Sequence, residues 1–129
     1  MREIKFRAWQ EDAKIEDGLD MRWWTWEEIK DTDFYTLLYD DRYTLMQYTG
    51  LKDKNGVEIY EGDIVKGVFP ELGTDIGSVV FKQGFQVDVP GIEDLDNLHD
   101  WAMYADGVEV LGNIYDNPEL LGRMKNNEK

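Results

Sequence analysis

His99 is the only histidine in the chain and Ser78 the only serine. A Ser–His–Asp triad would have to be built from these two, and Ser78 sits in Ile76-Gly77-Ser78-Val79-Val80, without the glycine-rich elbow that presents a serine nucleophile. His99 is followed by Asp100, but a metal-dependent phosphohydrolase site of His-Asp type needs further histidines, which are absent. A solvent-facing or packed histidine is the expectation. With no cysteine there is no thiolate nucleophile and no disulfide, and zinc sites made of His and Cys are excluded by counting.

Carboxylates are the remaining source of chemistry. Adjacent or near-adjacent acids, Glu27 with Glu28, Asp40 with Asp41 and Asp94 with Asp96, could share a proton or hold a hard cation. With 28 Asp and Glu in 129 residues such pairs arise by chance, so none marks a site. Asp53-Lys54-Asn55-Gly56 has the start of a calcium loop but places its glycine fourth rather than sixth, which is the spacing of a hairpin turn. No phosphate loop or dinucleotide fingerprint occurs. The expectation is a non-enzymatic protein without cofactor or metal, and a carboxylate enzyme using a divalent ion is the less favoured alternative.

One cluster remains as a candidate interface: Trp23, Trp24 and Trp26 with Glu27 and Glu28 beside them. Exposed tryptophan anchors protein interfaces, although tryptophan is more often buried. Stacking of nucleic-acid bases on these rings would need positive charge, and Arg22 and Lys30 are outnumbered by Asp20, Glu27, Glu28, Asp31 and Asp33.

The elements that must position these residues follow from local pattern. Ile4, Phe6 and Ala8 alternate with Lys5, Arg7 and Trp9, the period of a half-buried strand. Residues 10–20 are polar and predict a loop or loose hairpin. Residues 21–30 fit either a strand through 23–26 or a helical turn capped by Thr25. Residues 34–38 and 43–49 predict strands joined by an Asp40-Asp41 turn. Asn55-Gly56 predicts a hairpin. Residues 64–69 predict a strand, 70–76 a loop, and 77–81 with 85–89 a second hairpin. Leu95, Leu98 and Ala102 share one helical face, predicting a helix over 93–101. Residues 108–115 predict a last strand with a bulge at Gly112, and Asn117-Pro118-Glu119 a helix start. The fold class expected is mainly β: a small barrel-like or strongly bent antiparallel sheet with one to three short helices, in one domain over 1–129.

Composition bounds the partners. The chain is 42% hydrophobic and 13% aromatic, enough for a real core, and its 14 Lys and Arg leave a formal net charge of −14. Such a chain repels nucleic acid and anionic membranes, whose binding draws on Lys and Arg. The opening Met1-Arg2-Glu3-Ile4-Lys5-Phe6-Arg7 has no apolar core for a secretory leader, and no apolar run is long enough to span a bilayer. A soluble cytoplasmic protein is expected.

Three stretches carry a resemblance. They are residues 1–9, MREIKFRAW; residues 46–65, MQYTGLKDKNGVEIYEGDIV; and residues 110–121, VLGNIYDNPELL. Together and in this order they resemble the YopX family, small proteins encoded mostly by bacteriophages and prophages. The resemblance implies a mainly β fold, a place in the cytoplasm of an infected or lysogenic bacterium, and an accessory phage role. The family has no established activity, so it supplies no catalytic or ligand residues. Segments 10–45 and 85–109 follow no family pattern and are where a partner-facing surface would vary. The function expected is a protein-binding module with an acidic surface, acting on a host or phage protein, with a homo-oligomeric structural role as the alternative.

Overall fold

The structure is a computed structural model that describes residues 4–11, 21–30, 34–104 and 107–121. It is mainly β, with two antiparallel sheets, one of them curled into a half-barrel, as the strand-and-turn pattern predicts. The chain forms two compact units, Met1–Tyr48 and Thr49–Lys129.

The first unit contains β1 (Phe6–Glu11), β2 (Met21–Trp24), α1 (Trp26–Ile29), α2 (Phe34–Tyr39) and the start of β3 (Tyr43–Lys52). β1 lies between β2 and β3, with Ala8 opposite both Trp24 and Leu45. Ala8, Ile29 and Leu37 form its buried core, with Trp24, Trp26, Tyr43 and Leu45 packed on them. The ambiguity over 21–30 resolves as both readings in succession: the strand ends at Trp24, Thr25 is extended and caps, and the helix begins at Trp26.

The strand expected at 34–38 is instead α2. In a strand, Leu37 and Tyr39 would face the same side. Here Leu37 is buried and Tyr39 is 68% exposed, as helical geometry allows. A run this short carries no usable periodicity, and burying Leu37 on the core decides the outcome. The Asp40-Asp41 turn forms as expected. Asp40 accepts from Arg42 Nε and Nη2 at 3.1 and 2.7 Å and from the Arg42 amide, and these bonds hold its carboxyl down at about 2. The loop expected at 10–20 falls largely on residues outside those described.

In the second unit, β4 (Glu58–Tyr60) follows the end of β3 through the Asn55-Gly56 hairpin. Gly56 has φ +83°, the left-handed conformation this turn needs and glycine adopts without strain. Next come β5 (Asp63–Phe69), β6 (Gly73–Phe81), β7 (Phe85–Asp88), β8 (Asp96–Asn97), α3 (Leu98–Tyr104) and β9 (Val108–Asn113). The five-stranded sheet runs in the order β8-β7-β6-β5-β9. Its core is Ile59, Val65, Val79, Val87, Val89, Leu98, Trp101 and Val108.

Some boundaries depart from expectation. The loop over 70–76 shrinks to a tight turn, because left-handed Glu71 (φ 69°) and Gly73 (φ 103°) reverse the chain at once and Gly73 pairs with Phe69. The helix expected over 93–101 starts at Leu98, where the Asn97 carboxamide accepts the Asp100 amide and caps it. The bulge falls at Leu111, because Ile64 faces Gly112 while Val65 faces Val110. The helix start expected at Asn117-Pro118-Glu119 does form, as a helical turn over 119–121 in addition to α1–α3, with Leu120 N donating to Asn117 O and Leu121 N to Pro118 O.

Asp53 ties this unit together. Its side chain is buried, and Oδ1 accepts the amides of Asn55 and Val57 at 2.8 and 2.9 Å. Oδ2 accepts the amide of Val110 on β9 at 2.9 Å. Burial pushes this carboxyl up, but the amides of Val110, Val57 and Asn55, with Lys54 nearby, outweigh it and hold it below its ordinary value. Replacing Asp53 by Asn turns an NH₂ group toward at least one of these donors. Asp53→Asn should cost about 1–3 kcal/mol at neutral pH in urea unfolding. The folded carboxyl titrates lower than the unfolded one, so its contribution is present above about pH 4 and disappears as pH falls through the folded value. Unfolding curves of wild type and Asp53→Asn should therefore converge in acid.

Candidate functional site: an acid-rimmed aromatic pocket

The five residues singled out as a candidate interface all have partners within the first unit. Trp23 packs against Trp9 with ring centroids 4.8 Å apart, and the Arg7 guanidinium lies 4.6 Å from its centroid. Trp24 donates its indole N–H to Gln10 Oε1 at 2.8 Å and meets Tyr43 edge-on. Trp26 opens α1 and tilts against Phe6. Glu28 reaches back to accept the Thr25 amide at 3.0 Å, and Glu27 pairs with Lys30 at 2.9 Å. All three rings are half-buried, and both acids are exposed. The structure brings these residues together as one patch of strand end and helix start.

Of the other residues considered for chemistry, His99 is exposed on α3, and Ser78 is buried on β6 opposite Ile64 and Asp88.

A concave site forms in the second unit from residues that no sequence motif joins. It is a cavity of about 260 Å³. Its apolar wall is Phe69 at the end of β5, Leu72 in the β5–β6 turn, and Trp101 in α3. Asp75 of β6, Asp96 of β8 and Asp100 of α3 supply carboxylates around it, and Asn97 completes the lining. Phe69 and Trp101 meet edge to face with centroids 5.1 Å apart. Trp101 is 2% exposed and donates its indole N–H to Asp96 Oδ2 at 3.1 Å, so one rim carboxylate is locked to the core ring.

Gly67 explains why the ring fits. A Cβ there would lie 2.8 Å from Trp101 Cε3 and 2.9 Å from Phe69 Cε2, so only glycine lets both rings lie across β5. The three carboxylates are not a metal cage. No group of three or more His, Asp and Glu among the described residues comes together to hold an ion. The pocket can accept an apolar stem carrying a positive head.

In the sequence Asp96 stands near Asp94 and Asp100 beside His99, and no local pattern announces their convergence. The signal available was a large aromatic, Trp101, within five residues of two acids.

The fold is that of a small two-sheet β protein with short helices. The chain belongs to the YopX family: the family model described as YopX protein matches residues 5–122. It is 34% identical over 132 residues to the SPbeta prophage-derived uncharacterized protein YopX of Bacillus subtilis (strain 168), covering 87% of this chain and 96% of that one. The fold is similar to the crystal structure of protein EF1440 from Enterococcus faecalis, with a TM-score of 0.54 and 27% identity, covering 94% of this chain and 99% of that one. Among the described residues, no helix is long and apolar enough to cross a membrane.

The packing around Gly67 has a measurable consequence. Gly67→Ala should destabilise the protein by about 1–3 kcal/mol, because the Trp101 and Phe69 rings must shift. Adding Trp101→Phe should return part of that loss, and a double-mutant cycle in urea would read the coupling as non-additivity.

Proposed function

We propose that this chain is a non-enzymatic accessory protein of a phage or prophage that works by binding another protein through an acidic surface. The observation that carries the reading is the combination of a formal charge of −14 with a pocket whose apolar wall is ringed by Asp75, Asp96 and Asp100. A partner with a complementary basic surface would be steered to it over a Debye length, about 10 Å at 0.1 M salt. The phage setting is supported by the prophage origin in the name of the Bacillus subtilis relative. The non-enzymatic reading is supported by the lack of the usual nucleophile–base pairs: the chain has one serine, buried on β6, one histidine, exposed on α3, and no cysteine, which leaves the carboxylates as the alternative to test.

The test is capture from lysate of a bacterial host, with and without excess DNA and over a salt series, with the bound proteins identified by mass. The expected result is a specific basic partner whose capture weakens as salt rises. Competition by DNA would mean that the acidic surface occupies a nucleic-acid site on that partner. A folded protein that captures nothing specific, with a native mass at a multiple of 15.1 kDa, would overturn the reading in favour of self-assembly.

A second expectation separates binding from metal-assisted catalysis. Millimolar Mg, Mn or Ca should leave the thermal midpoint unchanged, since a ligand bound only by the folded state would raise it. A rise with one of these ions would point to the carboxylate enzyme instead.

A further inference from the structure

We infer that the pocket between the β5–β6 turn and α3 receives a single arginine side chain presented by the protein partner. The inference rests on the binding function proposed above and assigns it a site.

Size comes first. About 260 Å³ is below the range of roughly 300–1,000 Å³ typical of pockets for whole small molecules, and suits one long side chain. Shape and chemistry then divide the cavity. Phe69 and the 87% exposed Leu72 offer apolar surface along its wall, where the methylene stem of a long basic side chain would lie. Leu72 is placed there by the left-handed Glu71 turn and by its amide, which donates to Phe69 O at 3.1 Å.

Charge decides the head group. Asp96 is committed to the Trp101 indole. Asp75 and Asp100 are different: among the described residues neither side chain has a hydrogen-bond or ion-pair partner, so both carboxylates can accept from an incoming donor. Carboxylates on separate elements, beside an aromatic edge, suit a planar guanidinium, which forks hydrogen bonds to carboxylate oxygens and packs on rings. An ammonium acts as a compact point charge and gains less there. An anionic or neutral apolar occupant would leave Asp75 and Asp100 facing it uncompensated.

The experiment follows the Trp101 indole N–H by two-dimensional NMR, assigned through Trp101→Phe, while the protein is titrated with N-acetyl-arginine methylamide. The neutral isostere N-acetyl-citrulline methylamide is the control. A saturable shift is expected for the arginine probe, at least about tenfold weaker for citrulline, and lost in the Asp75→Asn/Asp100→Asn double variant. An unchanged remaining spectrum shows that this variant is folded. No saturable shift by about 20 mM probe, or an equal response to citrulline, overturns the inference.

The same double variant in the capture experiment separates the two proposals. A partner retained equally well by wild type and variant keeps the acidic-surface function and overturns the pocket as its arginine site. Arginine binding at Trp101 with no partner captured keeps the pocket's chemistry and overturns the broader function.

Discussion

The second unit depends on one buried carboxylate. Asp53 has been taken out of water, a costly move for an ion, and what offsets the cost is three backbone amides aimed at its two oxygens. Two of those amides shape the hairpin that contains Asp53. The third belongs to Val110, 57 residues further along the chain. A local turn and a distant strand are thereby bound to the same two atoms. The loop makes a second link, Lys54 N donating to Val108 O at 2.9 Å. Val108 is fully committed to the core and Val110 packs against it, so the placement of the turn and the packing of the core are one problem with one solution.

The pocket is a product of the same economy. β5 gives up a side chain at Gly67, Trp101 fills the vacated space, and the indole N–H, which would otherwise be a buried donor without an acceptor, takes Asp96. The core thus reaches the surface through a hydrogen bond and fixes one carboxylate of the rim. Asp75 and Asp100 stand on elements held by the pairing of β5 with β6 and by the Asn97 cap. No loop has to close for these groups to be in place.

What the sequence disclosed and what it concealed divide along the range of the interactions. The Asn55-Gly56 hairpin, the 82–84 turn and the strands around them are local, and their residue types state their geometry. The expectation failed where a choice was made by packing, as at 34–39, where burying Leu37 selected a helix, and at 70–76, where two left-handed residues made a tight turn out of what composition suggested was a loop. The pocket was illegible for a stronger reason. Its residues come from a strand end, a turn, a second strand, a two-residue strand and a helix, and no spacing rule links them. The family resemblance lies densest around residues 46–65, and this segment contains Asp53 and the hairpin rather than the pocket. By its neighbours Asp53 belongs to a turn, while its bond to Val110, 57 residues away, has no local signature.

The hairpin loop has one more effect. β9 is the last strand of the five-stranded sheet, and its outward-facing amide and carbonyl groups are a template on which another chain could lay a strand. Asp53 and Lys54 occupy that template, taking the Val110 amide and the Val108 carbonyl. The opposite margin is a strand of only two residues, too short to recruit a neighbour. A partner therefore gains little by β-augmentation on this sheet and must read side chains instead. The same two-residue plug guards a strand rich in valine against the edge-to-edge growth that begins aggregation.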